Sequence, residues 1–167
     1  TILRKAGIST KIIVANPGIK SYQEIIKHRL DVVLYSHNLL DLYCSNKNKV
    51  QIHIKFNTGM NRYGFNADQI ESIVSKLKNN HHLKLTSICS HLAASDDKNK
   101  TNYTLRQIKN FKILSKKFAH SLGKNVDRHL LNSHGLLNFP NHQMEAVRLG
   151  IGLYGSTTER NLKQISS

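Results

Sequence analysis

The stretch QIHIKFNTGMNRYGF, residues 51–65, decides the fold. Apolar Ile52, Ile54 and Phe56 alternate with Gln51, His53 and Lys55, the period of two that marks a strand with two different faces. Asn57-Thr58-Gly59-Met60-Asn61 then breaks the strand with turn-forming residues, and Arg62 follows just past its end. A strand built only for stability has no use for a histidine and a lysine on one face with a guanidinium beyond them. The pattern therefore points to a polar surface at the carboxyl end of this strand.

The same rhythm extends in both directions. KIIVA (11–15) is a short β-branched run suited to a strand buried on both faces, followed by Pro17-Gly18 and a capping box in which Ser21 precedes Glu24. A helix from Tyr22 to about Arg29 follows. DVVLY (31–35) is a second strand, with Ser36 capping a helix that carries Leu39, Leu40 and Tyr43. After the central stretch, Asn66 caps a helix with Ile70, Ile73, Val74 and Leu77 on one stripe. LKLTSICSHLA (83–93) is the fourth strand, and a helix from about Thr101 to Leu122 turns Ile108, Phe111, Phe118 and Leu122 inward. HLLNS (129–133) and MEAVRLGIGLYG (144–155) close a series of six strands. At the other end, TILRKAGI reads as the last turns of a helix capped by Gly7, the start of a chain cut from something longer. Strands alternating with helices through short loops predict an α/β protein with a parallel sheet, either doubly wound or a (β/α)8 barrel. In both, functional groups gather at the carboxyl ends of the strands, where this chain places Lys55, Asn57, Arg62, His91, Asn132, Ser133 and Arg148.

Composition narrows the classes. At 167 residues the chain can bury one real core, and no apolar run is long enough for a membrane span. Cys44 and Cys89 lack metal-ligand spacing and read as free thiols of a reducing, cytoplasmic compartment. The net charge of +15 would suit a polyanion, yet the lysines are dispersed among asparagines with no aromatic-interleaved basic motif, so no specific nucleic-acid partner is expected. His81, His82, His129, His134 and His142 have no cysteine or carboxylate at ligand spacing, which predicts no metal site.

Four ordered motifs resemble one family, the alanine racemases. HIKFNTGMNRYGF is similar to that family's Lys, Asp-Thr-Gly-Met and Arg signature, and SICSHLAASDD to its strand end with a histidine. RHLLNSHGLLNFP and MEAVRLGIGLYG resemble its phosphate loop and its arginine-bearing last strand. NPGIKSYQEIIKHRLDVVLYS and RLGIGLYG look closest to racemase domains fused behind a cell-wall peptide ligase, UDP-N-acetylmuramoyl-tripeptide:D-alanyl-D-alanine ligase. The resemblance implies a partial (β/α)8 TIM barrel, about strands 3 to 8, over residues 1–155, with 156–167 entering a second, β-rich domain.

It also implies pyridoxal 5'-phosphate as cofactor, alanine as substrate, D-alanine for peptidoglycan as product, and a homodimer in the intact protein. Arg148 matches the arginine against the pyridine nitrogen. A guanidinium has no proton to give up, so the ring stays a weak electron sink, which suits racemisation over transamination. Arg62 matches the arginine that reaches the cofactor's phenolic oxygen and orients the substrate carboxylate. Lys55 matches a lysine that can be carbamylated, which would turn a rival cation into a partner for Arg62. His91 matches the histidine beside the ring, and Asn132, Ser133, Gly150 and Ile151 the phosphate pocket. Two departures stand out: Asn57 replaces the usual Asp, and bulky His134 replaces a small residue. The family's Schiff-base lysine and tyrosine base have no counterparts in residues 1–167, so this stretch alone is expected to be inactive. The alternative reading is a non-catalytic pyridoxal-phosphate-binding barrel protein.

Overall fold

The computed structural model describes residues 2–155. The proposed linker at 156–167 lies outside them. Five strands form one sheet: β1 (Ile13–Val14), β2 (Asp31–Leu34), β3 (Val50–Lys55), β4 (Leu83–Cys89) and β5 (Asp127–His129), all parallel and in the order β1-β2-β3-β4-β5. That order separates the two architectures. Right-handed crossovers that always step the same way put every helix on one face, as in the arc of a barrel, whereas a doubly wound sheet reverses direction.

The helices are α1 (Ile2–Lys5), α2 (Tyr22–Lys27), α3 (His37–Ser45), α4 (Ile70–Lys78), α5 (Thr101–Leu122) and α6 (Ser133–Asn138). Val32, Leu34, Ile52, Ile54 and Ile88 turn one sheet face toward Leu40, Tyr43, Ile70, Ile73, Phe111 and Phe118 of the helices, and together they form the core. Each fully buried side chain of this kind contributes roughly 1.5–3 kcal/mol. The opposite face carries the alternate residues, Asp31, His53, Lys55, Ser87, Cys89 and His129. A register shift between Ile52 and His53 moves the pairing from Leu85 to Ser87, and this bulge sets Ser87 beside His53.

Helix ends follow local chemistry. Ser36 caps α3 by accepting from the Leu39 N–H, and Asn66 forms a capping box with Gln69 ahead of α4. Gly7 and Gly123 take left-handed φ at the ends of α1 and α5. Four expectations need correction. Ser21 forms no capping box, because a 3₁₀ turn over Ile19–Ser21 already places it in helical geometry and its hydroxyl donates back to the Gly18 carbonyl at 2.6 Å. KIIVA is not buried on both faces: two residues pair, and Ile13 on this edge strand is 44% exposed. The sixth strand shrinks to one bridge, His129 with Ala146. Ala146 and Arg148 donate to the carbonyls of Arg128 and Leu131, so a step of two residues faces a step of three and the ladder cannot propagate. HLLNS also begins and ends earlier than read, because β5 stops at His129 and Asn132 caps α6.

Candidate active site

The loop after β3 is pinned at its neck. Asn57 N–H donates to the Phe65 carbonyl and Phe65 N–H to the Lys55 carbonyl, each at 2.8 Å. Within the loop, Asn57 Oδ1 accepts from the N–H groups of Gly59 and Asn61, while its Nδ2 donates to Asn61 Oδ1 at 2.9 Å. That last bond uses the amide donor of Asn57, where an aspartate would close the same turn by accepting from the Asn61 amide. Gly64, at φ +132°, leaves no room for a Cβ, which would lie 2.6 Å from Phe56 C and Asn57 N. The loop therefore presents Arg62 from a fixed frame.

Arg62, Lys55, His91 and Arg148 line one cavity of about 950 Å³ on the polar side of the sheet. Arg148 is the most constrained. Its Nη1 donates to His129 Nδ1 and to the His129 carbonyl, and its Nη2 to the carbonyls of Ser90 at 2.5 Å and Leu130 at 3.2 Å and to His91 Nδ1 at 3.4 Å. Among the described residues, Nε–H is the one N–H of this guanidinium with no partner and no carboxylate is bonded to the group, so carbonyl dipoles and neutral rings hold its charge. Burial, then the positive fields of Arg148, Lys55 and Arg62, lower His91 to about 4, so it is neutral at physiological pH. Lys55 is half-buried with its ammonium 5.8 Å from the Tyr63 ring centre. Its pKa falls below the ordinary lysine value because of burial, with Arg62 and Arg148 adding and Cys89 opposing.

Beside this cavity, Ser133 Oγ accepts from the N–H groups of Gly150 at 2.9 Å and Gly152 at 3.1 Å. Both lone pairs are used, which leaves the hydroxyl proton to donate. Asn132 Oδ1 accepts from Gly135 N–H and Ser95 Oγ, each at 2.8 Å. Ile151 opens a 3₁₀ turn over Ile151–Tyr154, so its N–H has no acceptor within the turn. His134 Nε2 is buried with no hydrogen-bond partner. The structure thus brings Arg62, Lys55, His91 and Arg148 together in one cavity and ties Ser133 to Gly150 in an adjacent cluster. Asn132 supports that cluster, and the Ile151 side chain stays 53% exposed.

The family described as alanine racemase, N-terminal domain, matches residues 1–158. The chain belongs to the alanine racemase family. It is 38% identical over 159 residues to the alanine racemase of Fusobacterium nucleatum subsp. nucleatum, covering 93% of this chain and 43% of that protein. It is 33% identical over 160 residues to that of Nitrosomonas europaea, with the same coverage of 93% and 43%. The solved alanine racemase of Corynebacterium glutamicum superposes with a TM-score of 0.82 at 25% identity, covering 93% of this chain and 44% of that one. That of Clostridium difficile gives 0.84 at 26%, covering 96% and 43%. The chain spans less than half the length of the racemases it matches.

Asp31 and Ser87 were not singled out from the sequence, and His53 and His129 were not assigned to the site, yet the structure lines the four up beneath Arg148. Strand parity carried the signal. Each is a polar residue on the inner face of a strand whose other face is apolar, and His129 was weighed only as a metal ligand. Among the described residues, no group of three or more His, Cys, Asp or Glu is placed to hold a metal ion, and no helix is long and apolar enough to cross a membrane.

Proposed function

We propose that residues 1–167 form the cofactor-holding part of a pyridoxal-phosphate-dependent racemase that interconverts L- and D-alanine for peptidoglycan synthesis, working as a homodimer. The observation that carries this reading is Arg148, a guanidinium with every terminal N–H committed and its Nε–H left over at a cavity that also holds Arg62, His91 and Lys55.

The residues fit the cofactor. Arg148 Nε–H would face the ring nitrogen and, having no proton to release, keep it unprotonated. The free Ser133 proton, the Ile151 N–H and the orphaned His134 Nε2 form a donor set suited to a phosphate dianion, which gives His134 a role where a small residue is usual. Arg62 would pair with the substrate carboxylate. Bound there, pyridoxal phosphate supplies the electron withdrawal that acidifies the substrate Cα–H. Neutral His91 avoids adding a further positive charge beside Arg148, Arg62 and Lys55. Lys55, with its lowered pKa, is primed to react as the free amine with CO2, forming an N-carboxylate and releasing one proton; the product would offer Arg62 an anionic partner. Residues 1–167 are assigned binding and orientation, not the proton transfers.

Turnover in the intact protein tests the reading. Arg148→Ala and Arg62→Ala are each expected to lower kcat by at least about 100-fold, as for loss of a preorganised charged donor. Near-normal rates in either variant overturn its assigned role. For Lys55, a mass gain of one CO2 in bicarbonate buffer, lost on acidification and absent from Lys55→Ala, is the expected result; no such gain refutes the modification.

A further inference from the structure

One polar residue from each of four neighbouring strands lies on a single line across the inner face of the sheet. Asp31 of β2, His53 of β3, Ser87 of β4 and His129 of β5 are all buried, and the line ends on Arg148. His53 Nε2 is 3.4 Å from Asp31 Oδ2, His53 Nδ1 is 2.6 Å from Ser87 Oγ, and Ser87 Oγ is 2.8 Å from His129 Nε2. His129 Nδ1 meets Arg148 Nη1. At the far end, Lys11 Nζ approaches Asp31 Oδ2 at 3.9 Å from a half-exposed position.

The positions of the protons follow from one fact: a guanidinium only donates. Arg148 therefore requires a lone pair on His129 Nδ1, which places the proton of the neutral ring on Nε2. That N–H donates to Ser87 Oγ. The serine hydroxyl then has one acceptor left within reach, His53 Nδ1, so the His53 proton sits on Nε2 and donates to the Asp31 carboxylate. In this direction every donor has an acceptor. Run in reverse, the chain would set a His129 Nδ1–H against Arg148, two donors face to face.

We infer that Asp31, His53, Ser87 and His129 form a one-directional hydrogen-bond line that fixes the Arg148 guanidinium, and that Ser87 and His53 are positioning residues for the cofactor contact Arg148 makes. Burial also favours neutral rings, and Arg148 adds to this at His129, whereas the Asp31 contact pulls His53 the other way. The line stands on the hydrogen-bond geometry, while its bearing on a cofactor rests on the function proposed above.

The two parts are tested separately. In protein labelled with ¹⁵N-histidine, long-range ¹H–¹⁵N spectra at neutral pH are expected to show both His53 and His129 as neutral Nε2–H tautomers. Because the Asp31 carboxylate only accepts, it holds the same direction when Arg148 is lost, so Arg148→Met is expected to keep His129 as Nε2–H, whereas Arg148→Met/Asp31→Ala removes both ends and is expected to let His129 populate both tautomers. An Nδ1–H or doubly protonated form of either ring in the unmodified protein overturns the line, as does a His129 that stays wholly Nε2–H in the double variant. Pyridoxal phosphate titrated by its visible absorbance is expected to bind Ser87→Ala about 10-fold more weakly, because His129 loses the acceptor that keeps its Nδ1 lone pair toward Arg148, with Ser87→Thr, which keeps the hydroxyl, restoring affinity. Equal affinity in Ser87→Ala overturns the positioning role. Failure of the unmodified protein to bind, with the tautomers as stated, overturns the proposed function and leaves the line intact.

Discussion

The buried line of histidines makes stability fall between neutrality and pH 5, and His129 gives the size of the effect. Its pKa lies at about 3 against an ordinary value of 6.5, held down by burial first, then by Arg148 and His53. The folded state therefore keeps the ring neutral through a window in which the unfolded chain takes up a proton. The unfolded state binds more protons there, so stability is complete above pH 6.5 and is lost as pH falls toward 3. At pH 5 the linkage relation gives a loss of about 2 kcal/mol from this group alone. His53 shifts in the same direction, and His91, partly exposed, adds a share reduced by solvent screening. Against a total of roughly 5–15 kcal/mol, such a loss is large. Urea unfolding followed by far-UV circular dichroism at pH 7.5 and 5.0 reads it as a fall in midpoint of about 1 M, taking a slope near ~2 kcal/mol/M. His129→Asn is expected to be less stable at pH 7.5, yet to lose about 2 kcal/mol less on acidification. The window lies above the carboxylate range, so ordinary acid unfolding does not imitate the result. Equal losses in His129→Asn and the unmodified protein would refute the reasoning.

Gly64→Ala drives a Cβ to within 2.6 Å of backbone at a positive φ; the expected cost is about 2–4 kcal/mol, seen as a lower melting temperature, because backbone cannot swing aside. Phe118→Ala empties a fully buried site in edge contact with Phe56, with ring centres 5.4 Å apart, and is expected to cost about 3–5 kcal/mol in urea unfolding. Gly152→Ala places a Cβ 3.0 Å from Ser133 Cβ. It is expected to weaken pyridoxal phosphate binding several-fold while the melting temperature moves little, because this segment is exposed and the strain falls on the Ser133 hydroxyl.

The fold was legible where periodicity and burial agree. Ile52 and Ile54 alternating with His53 and Lys55 announced β3 and its two faces, and Ile70, Ile73, Val74 and Leu77 fixed the buried stripe of α4. It failed where pairing depends on a neighbour's register. Val147 and the residues around it read as a strand, but the slip against Arg128 and Leu131 allows one bridge only. Ser21 misled for a related reason, since the backbone reaches helical geometry before it. In the site, position at the carboxyl ends of successive strands grouped Lys55, Arg62, His91 and Arg148. Asp31 and Ser87 were missed because each looks like an isolated polar residue in its own strand, and His53, legible as an inner-face residue, was not linked to them because the partners lie 22 to 42 residues apart in the sequence.

The two faces of the sheet therefore divide the labour. The helix-facing side is apolar and close-packed, and the folding free energy resides there. The inner side carries a polar residue where barrels commonly stack branched apolar layers, and such residues are costly unless every donor finds an acceptor. The Asp31-to-Arg148 line meets that condition by running one way only, with a donor that cannot accept at one end and a carboxylate at the other. A guanidinium held by neutral rings and carbonyl dipoles keeps its full charge and one directed N–H, whereas a carboxylate partner would have neutralised it. The polar inner face is thus the structural condition for presenting Arg148 to the cavity as a cation that no carboxylate among the described residues compensates.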